Sequence, residues 1–148
     1  MPTYNLTYTF TVTDLRAKID EAVSKTAQRA VGKEGQSLYD AIKIYSNDRS
    51  VVEDAIRDAM DSVALRFVDM SKIEADTNAY TLSFYAPDIQ TENSETVRRE
   101  IERFVSMKVV ADWLSTRYPD PAKYYSDLAD AALAKVVVAV RTRKTPTR

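Results

Sequence analysis

Residues 3–12 alternate almost without fault: Tyr4, Leu6, Tyr8, Phe10 and Val12 fall on one side, and Thr3, Asn5, Thr7, Thr9 and Thr11 on the other. A period of two in aromatic and β-branched residues predicts a half-buried strand. The period then lengthens. Leu15, Ile19, Ala22, Val23, Ala27 and Ala30 form a helical stripe, opened by Thr13 or Asp14 as cap and closed at Gly32. A short helix is expected over 36–45 on Leu38, Ile42 and Tyr45, and a longer one over 48–67 on Val52, Ile56, Ala59, Met60, Val63 and Phe67. The period returns to two over 70–86. There Asp76-Thr77-Asn78 supplies turn chemistry and Tyr80, Leu82 and Phe84 alternate with Thr81, Ser83 and Tyr85, which predicts an inserted β-hairpin.

After a polar stretch at 88–93, Ser94 is the expected cap of the longest helix, 95–117, about 35 Å long. Its stripe is Val97, Ile101, Phe104, Val105, Met107 or Lys108, Val109 and Trp113. The corner Tyr118-Pro119-Asp120-Pro121 follows. Tyr118 precedes a proline and is disfavoured in the α region, and Pro119 has no N–H to continue the helix. Asp120 is the expected N-cap with Pro121 at the first helical position. A last helix then runs over 122–140, with small residues at Ala129, Ala131, Ala132 and Ala134 that admit a close neighbour. Two long helices joined by a short corner are expected to pack antiparallel. The predicted fold is mainly α: an antiparallel bundle of four to five helices in one domain, 1–140, carrying the N-terminal strand 3–12 and the hairpin 70–86. A basic tail, 141–148, follows.

Composition removes chemistry from this frame. Among the 148 residues there is no cysteine and no histidine, which excludes disulfides, cysteine nucleophiles, histidine-dependent triads and the usual zinc ligand sets. Gly32 and Gly35 are the only glycines, too few for a phosphate-cradling loop or a dinucleotide fingerprint. No apolar run approaches the ~20 residues of a membrane span, and the start of the chain lacks the pattern of a signal peptide. A protein made in the cytoplasm and acting away from membranes is expected, unless it is packaged into something larger. The net charge is −1, yet Arg141, Arg143, Lys144 and Arg148 stand in the tail without an acid, so the remaining chain carries −5. A basic tail on a mildly acidic body reads as an interaction arm.

Each candidate site has a plainer alternative. Asp54, Asp58 and Asp61 share a helix face and could hold a divalent cation, but Arg57 sits among them and a solvated charged face is the simpler reading. The pairs Asp20-Glu21 and Glu100-Glu102 lack any sign of a cleft between them. No catalytic residue, metal site or cofactor is expected. Trp113 continues the stripe from Val109 and is expected in the core of the corner with Tyr118, Pro119, Pro121 and Tyr125; Tyr118, Tyr124 and Tyr125 are expected to clamp the two helices. The tail Arg141, Arg143, Lys144 and Arg148 is a solubilising end, a phosphate contact, or an arm that docks in an acidic groove of a protein partner. The strand Tyr4, Leu6, Tyr8, Phe10 and Val12 pairs either with the hairpin or with a neighbouring subunit, because alternation demands a partner without saying whose.

The order of elements and several segments within 48–142 resemble a known family. These are Val51-Val52-Glu53-Asp54-Ala55-Ile56-Arg57-Asp58-Ala59-Met60, the helix end Val110-Ala111-Asp112-Trp113-Leu114, the corner Arg117-Tyr118-Pro119-Asp120, and Tyr124-Tyr125-Ser126-Asp127-Leu128-Ala129-Asp130-Ala131-Ala132-Leu133. This part of the chain resembles the small α-helical head–tail connector (adaptor, or neck) proteins of tailed bacteriophages. The strand at 3–12 and the hairpin at 70–86 depart from that pattern and add pairing surfaces. The resemblance implies a non-enzymatic virion structural protein, placed in the neck between capsid and tail. It implies a homo-oligomeric ring, usually dodecameric, stacked on the portal and joined to downstream neck and tail proteins. The C-terminal arm reaches toward the portal in that reading, and DNA passes the lumen without being read. The alternative from another class is a small helical regulatory or nucleic-acid-associated protein that sets its basic tail on phosphate.

Overall fold

The computed structural model describes residues 4–86 and 93–141. The chain is mainly helical with a small three-stranded antiparallel sheet. The elements in order are β1 (Leu6–Thr11), α1 (Val12–Arg29), α2 (Tyr39–Ile42), a 3-10 turn (Ser46–Asp48), α3 (Arg49–Arg66), β2 (Ser71–Ala75), β3 (Ala79–Phe84), α4 (Asn93–Leu114) and α5 (Pro119–Arg141). Buried side chains from the sheet and all of the helices join in one cluster that includes Phe10, Ile19, Ile42, Ile56, Phe67, Phe84, Ile101 and Val136.

The sheet order is β1-β3-β2, with the last strand in sequence at the centre. β1 therefore pairs within the chain. Leu6, Tyr8 and Phe10 lie opposite Phe84, Leu82 and Tyr80, and Ile73 lies opposite Leu82 from the other side. These residues share the face turned to the helices, where Phe84 meets the Phe67 ring edge-on at 5.3 Å. The opposite face carries hydroxyls: Thr7 bonds Ser83 at 3.2 Å, and Thr9 bonds Thr81 at 3.4 Å. Asn5 extends the sheet by imitating a peptide group, since its side chain both accepts from Ala86 N–H (2.7 Å) and donates to Ala86 C=O (2.8 Å).

Several boundaries differ from those the sequence suggests. Val12 is the first residue of α1 rather than the end of the strand. Its side chain must be buried, its N–H still reaches Asn78 O at 2.8 Å, and the cap moves back to Thr11, whose hydroxyl accepts from Asp14 N–H at 3.3 Å. α1 ends at Arg29, before Gly32; the chain then reverses through Gly35, the one described residue with a left-handed φ (+82°). The helix expected over 36–45 shrinks to Tyr39–Ile42. The carbonyl of Ile42, which would accept the next helical N–H, is taken by the indole of Trp113 at 2.6 Å. Ser94 lies inside α4 instead of capping it and receives the Tyr8 hydroxyl, at 2.9 Å on its carbonyl. α4 stops at Leu114, whose carbonyl accepts from both Arg117 N–H (3.1 Å) and Tyr118 N–H (2.7 Å). α5 begins on Pro119 instead of Pro121, a position where a missing N–H costs nothing. Residues 93–100 of α4 meet 134–139 of α5, so this helix pair is antiparallel.

Candidate interaction surfaces

The corner between α4 and α5 is tied by side-chain contacts from Trp113, Arg117 and Tyr125. Trp113 is buried, as its place on the stripe predicts. The Arg117 guanidinium lies over its ring at 3.6 Å from the centroid and also donates to Trp113 O at 2.9 Å. Tyr118 packs against the core. The expected clamp of tyrosines between α4 and α5 takes another form, because Tyr125 reaches α1. There its hydroxyl meets Thr26 Oγ1 at 2.8 Å, and Thr26 in turn donates to Ala22 O at 3.0 Å. Tyr124 is mostly exposed and edges onto Tyr125 at 5.4 Å. Together with Lys25, Arg29 and Pro121 these tyrosines line a groove of about 420 Å³.

A second groove, about 650 Å³, opens between the start of α4 and the end of α5. Its notable member is Glu100, only 3% exposed although Arg99 and Lys135 stand near it. One carboxylate oxygen lies 3.7 Å from Arg99 and 4.0 Å from Lys135; the other has no hydrogen-bond partner among the described residues. Its neighbour in sequence, Glu102, pairs instead with Lys18 of α1. The groove's nearest charges are therefore its own and already opposed.

The remaining carboxylates are scattered. Asp54 and Asp58 are exposed on α3 with Asp61, and Asp54 pairs with Arg57 at 3.5 Å. Among the described residues no group of three carboxylates is placed to hold a metal ion. Asp20 faces a cleft of about 100 Å³ with Arg16, Tyr45 and Arg49. Burial pushes its carboxyl up from the usual range, with Arg16 and Arg49 opposing, and one of its oxygens has no hydrogen-bond partner. Arg16 instead bonds Glu53 at 3.1 Å. The adjacent Glu21 is held below the usual range by its hydrogen bond to Lys25.

Tyr4 stacks near Lys72, whose ammonium lies 5.0 Å from the ring centroid. Arg141 closes α5 with its guanidinium 5.8 Å from the Phe67 ring centroid. Arg143, Lys144 and Arg148 lie outside the described residues.

The sheet has two outer strands, and their edges are not alike. Val12 N–H donates straight across to Asn78 O, and bonded pairs alternate with unbonded ones in an antiparallel ladder. Thr7, Thr9 and Thr11 therefore turn their backbone groups outward. Arg98 from α4 reaches this edge at one point: it donates to Thr9 O at 3.4 Å and lies 5.5 Å over the Phe10 ring. Arg98 stands three, seven and eleven residues before Ile101, Val105 and Val109, in phase with the apolar stripe of α4, and that spacing is the sequence signal that sets it against the sheet. On β2, Tyr85 N–H donates to Met70 O (2.7 Å) and Asp76 N–H to Ala79 O (2.8 Å). The same alternation turns the backbones of Ser71, Ile73 and Ala75 away from β3. Among the described residues no side chain bonds those outward groups as Arg98 does on β1.

No helix among the described residues is long and apolar enough to cross a membrane. Comparisons with protein-family models, with characterised proteins and with solved structures find no match to this chain.

Proposed function

We propose that this chain is a non-enzymatic structural subunit of a bacteriophage head–tail connector, assembled as a ring that stacks on the portal and lets DNA pass. The observation that carries this reading is the α4–α5 pair. Within the segment bearing the resemblance, 48–142, residues 110–133 are built around Trp113, whose indole bonds Ile42 O and whose ring is covered by Arg117. Its polar groups are engaged in fixing helices to one another and to α1, as suits a rigid block repeated around an axis. In this reading the helices form an antiparallel bundle and the arm with Arg141, Arg143, Lys144 and Arg148 reaches the portal. Weak contacts repeated around the ring add by multivalency, so each interface is allowed to be modest.

The test is reconstitution. Full-length protein is mixed with a bacteriophage portal protein and imaged by electron microscopy. A ring of this chain beneath the portal, lost when Arg143, Lys144 and Arg148 are all changed to Ser, is expected. A chain that ignores the portal and binds duplex DNA tightly in high salt would overturn the reading in favour of a nucleic-acid-associated protein.

A further inference from the structure

We infer that the open edge of β2 is a self-complementary docking strand, which pairs two copies of this chain antiparallel into one continuous six-stranded sheet. The inference goes beyond the ring reading and does not depend on it.

The edge is first of all available. β1 has Arg98 on the carbonyl of Thr9, midway along its outer backbone, whereas the outward groups of Ser71, Ile73 and Ala75 meet no side chain among the described residues. A row of unsatisfied N–H and C=O groups is a template for another strand. Solvent covers Lys72, Glu74 and Ala75, and Ser71 and Ile73 are half-buried. β3 behind them is largely buried, so the edge is backed by a firm sheet.

The side chains then select the partner. β2 reads Ser71-Lys72-Ile73-Glu74-Ala75, a cation and an anion placed symmetrically about Ile73. When a second β2 is laid antiparallel with Ile73 opposite Ile73, Lys72 of each copy faces Glu74 of the other. In this register the outward backbones of Ser71, Ile73 and Ala75 form the bonded pairs, and every outward N–H meets an outward C=O. Lys72 and Glu74 then occupy the unbonded pairs, where opposed side chains approach most closely. Within one copy Lys72 already lies 3.3 Å from Glu74, so pairing extends an ion pair into a square of four charges of alternating sign. The strand's order of charges fits itself reversed, whereas β1 offers only threonines on the same face.

The flank of the edge agrees. Leu65 and Val68 are 72% and 73% exposed, the most open of the large apolar side chains among the described residues. Both sit beside the start of β2, because Ser71 Oγ is tied back to Ala64 O and Phe67 O. A second sheet edge arriving here would bring apolar cover to that end of α3. A two-fold contact places the same patch on both copies, as an isologous interface requires.

The experiment uses charge reversal on the full-length chain, with mass measured by sedimentation and the fold checked by circular dichroism. Wild type is expected to be dimeric at micromolar concentration. Lys72→Glu sets like charges opposite each other, as does Glu74→Lys; each variant alone is expected to dissociate about tenfold more readily or worse. An equimolar mixture of the two variants restores opposite charges at every position and is expected to regain the dimer. The double variant K72E/E74K is likewise expected to pair with itself. Both positions are exposed, so unaltered dichroism is expected throughout. A wild-type monomer, or a mass that the single reversals leave unchanged, overturns the inference. If wild type forms a larger assembly, the single reversals must lower its mass, and failure to do so overturns it equally. The ring reading is decided separately, by portal binding, so either idea can fail alone.

Discussion

The α4–α5 corner and the β2 edge are both made of ordinary residues, yet one is closed and the other open. At the corner Trp113 and Tyr125 each end on a partner inside the chain, and Arg117 serves both a ring and a carbonyl. Along β2 Lys72 pairs with Glu74, while among the described residues no side chain bonds the outward backbone. The difference lies in which groups carry the bonding. A side-chain donor has reach and can turn to find a partner across the core, as the indole of Trp113 does at Ile42. A strand's backbone groups are fixed in direction and can be satisfied only by a strand, a water or a side chain brought to them. Arg98 is such a side chain, and among the described residues only β1 has one.

The comparison can be broken most forcefully at the corner. Trp113→Ala removes a buried ring, strips Arg117 of its platform and leaves Ile42 O unpaired. A loss of about 3–5 kcal/mol in urea unfolding is expected. Trp113→Phe keeps most of the packing and removes only the donor; about 1–2 kcal/mol is expected, the cost of the orphaned carbonyl. Equal losses in the two variants would mean that the hydrogen bond, not the ring, holds the corner.

A smaller effect is expected where the corner meets α1. Tyr125→Phe deletes the hydroxyl that reaches Thr26, with an expected loss of about 1 kcal/mol in the same assay. Arg98→Ala sharpens the contrast between the two edges. Its cation–π contact is exposed, so the loss of stability should stay near ~0.5–1 kcal/mol. Its larger consequence is expected in association, since it would uncover β1 and let both edges of the sheet pair. Concentration-dependent growth beyond a dimer, followed by light scattering, is the readout; an unaltered mass would show that Arg98 is not the cover.

The smallest effect is expected at Asp20. Burial raises its carboxyl above the ordinary range, with Arg16 and Arg49 pulling the other way. The folded state thus holds this proton more tightly than the unfolded chain does. The group favours the fold below the carboxylate range and costs stability as pH rises through its raised value. Asp20→Asn is expected to raise the melting temperature at neutral pH, with the gain shrinking as pH falls into the acid range. A gain that is constant with pH would assign the effect to packing instead.

What could be read from the sequence follows the same division. Alternation in 3–12 and 70–86 and the helical stripes located the strands and long helices, because burial on one face imposes a period. Trp113 was recognisable as core from its phase with Val109. What periodicity does not carry is who receives a polar group. The Ile42 carbonyl, taken by an indole from a residue far along the chain, cut short a helix that Leu38, Ile42 and Tyr45 suggested. The strand's need of a partner was evident in Tyr8 and Phe10, but its satisfaction by β3 depended on the whole fold. Arg98 shares its phase with Ile101 and Val105, and Glu100 with Val97 and Phe104, so the spacing sets both beside the apolar stripe. It does not carry what each meets there: a strand carbonyl for one, burial between two helices for the other.

Thr11 ends β1 and caps α1, with no loop residue between the two. This junction locks two different periods in phase. One residue added before it would turn Tyr8 and Phe10 to the hydroxyl face, since a strand repeats in two. One residue added after it would rotate the stripe of Leu15, Ile19 and Val23 by about 100° about the helix axis. Insertions here have no slack to absorb them. Length variation among any relatives of this chain should therefore gather at the turn near Gly35, and the step from Thr11 to Val12 should keep its length.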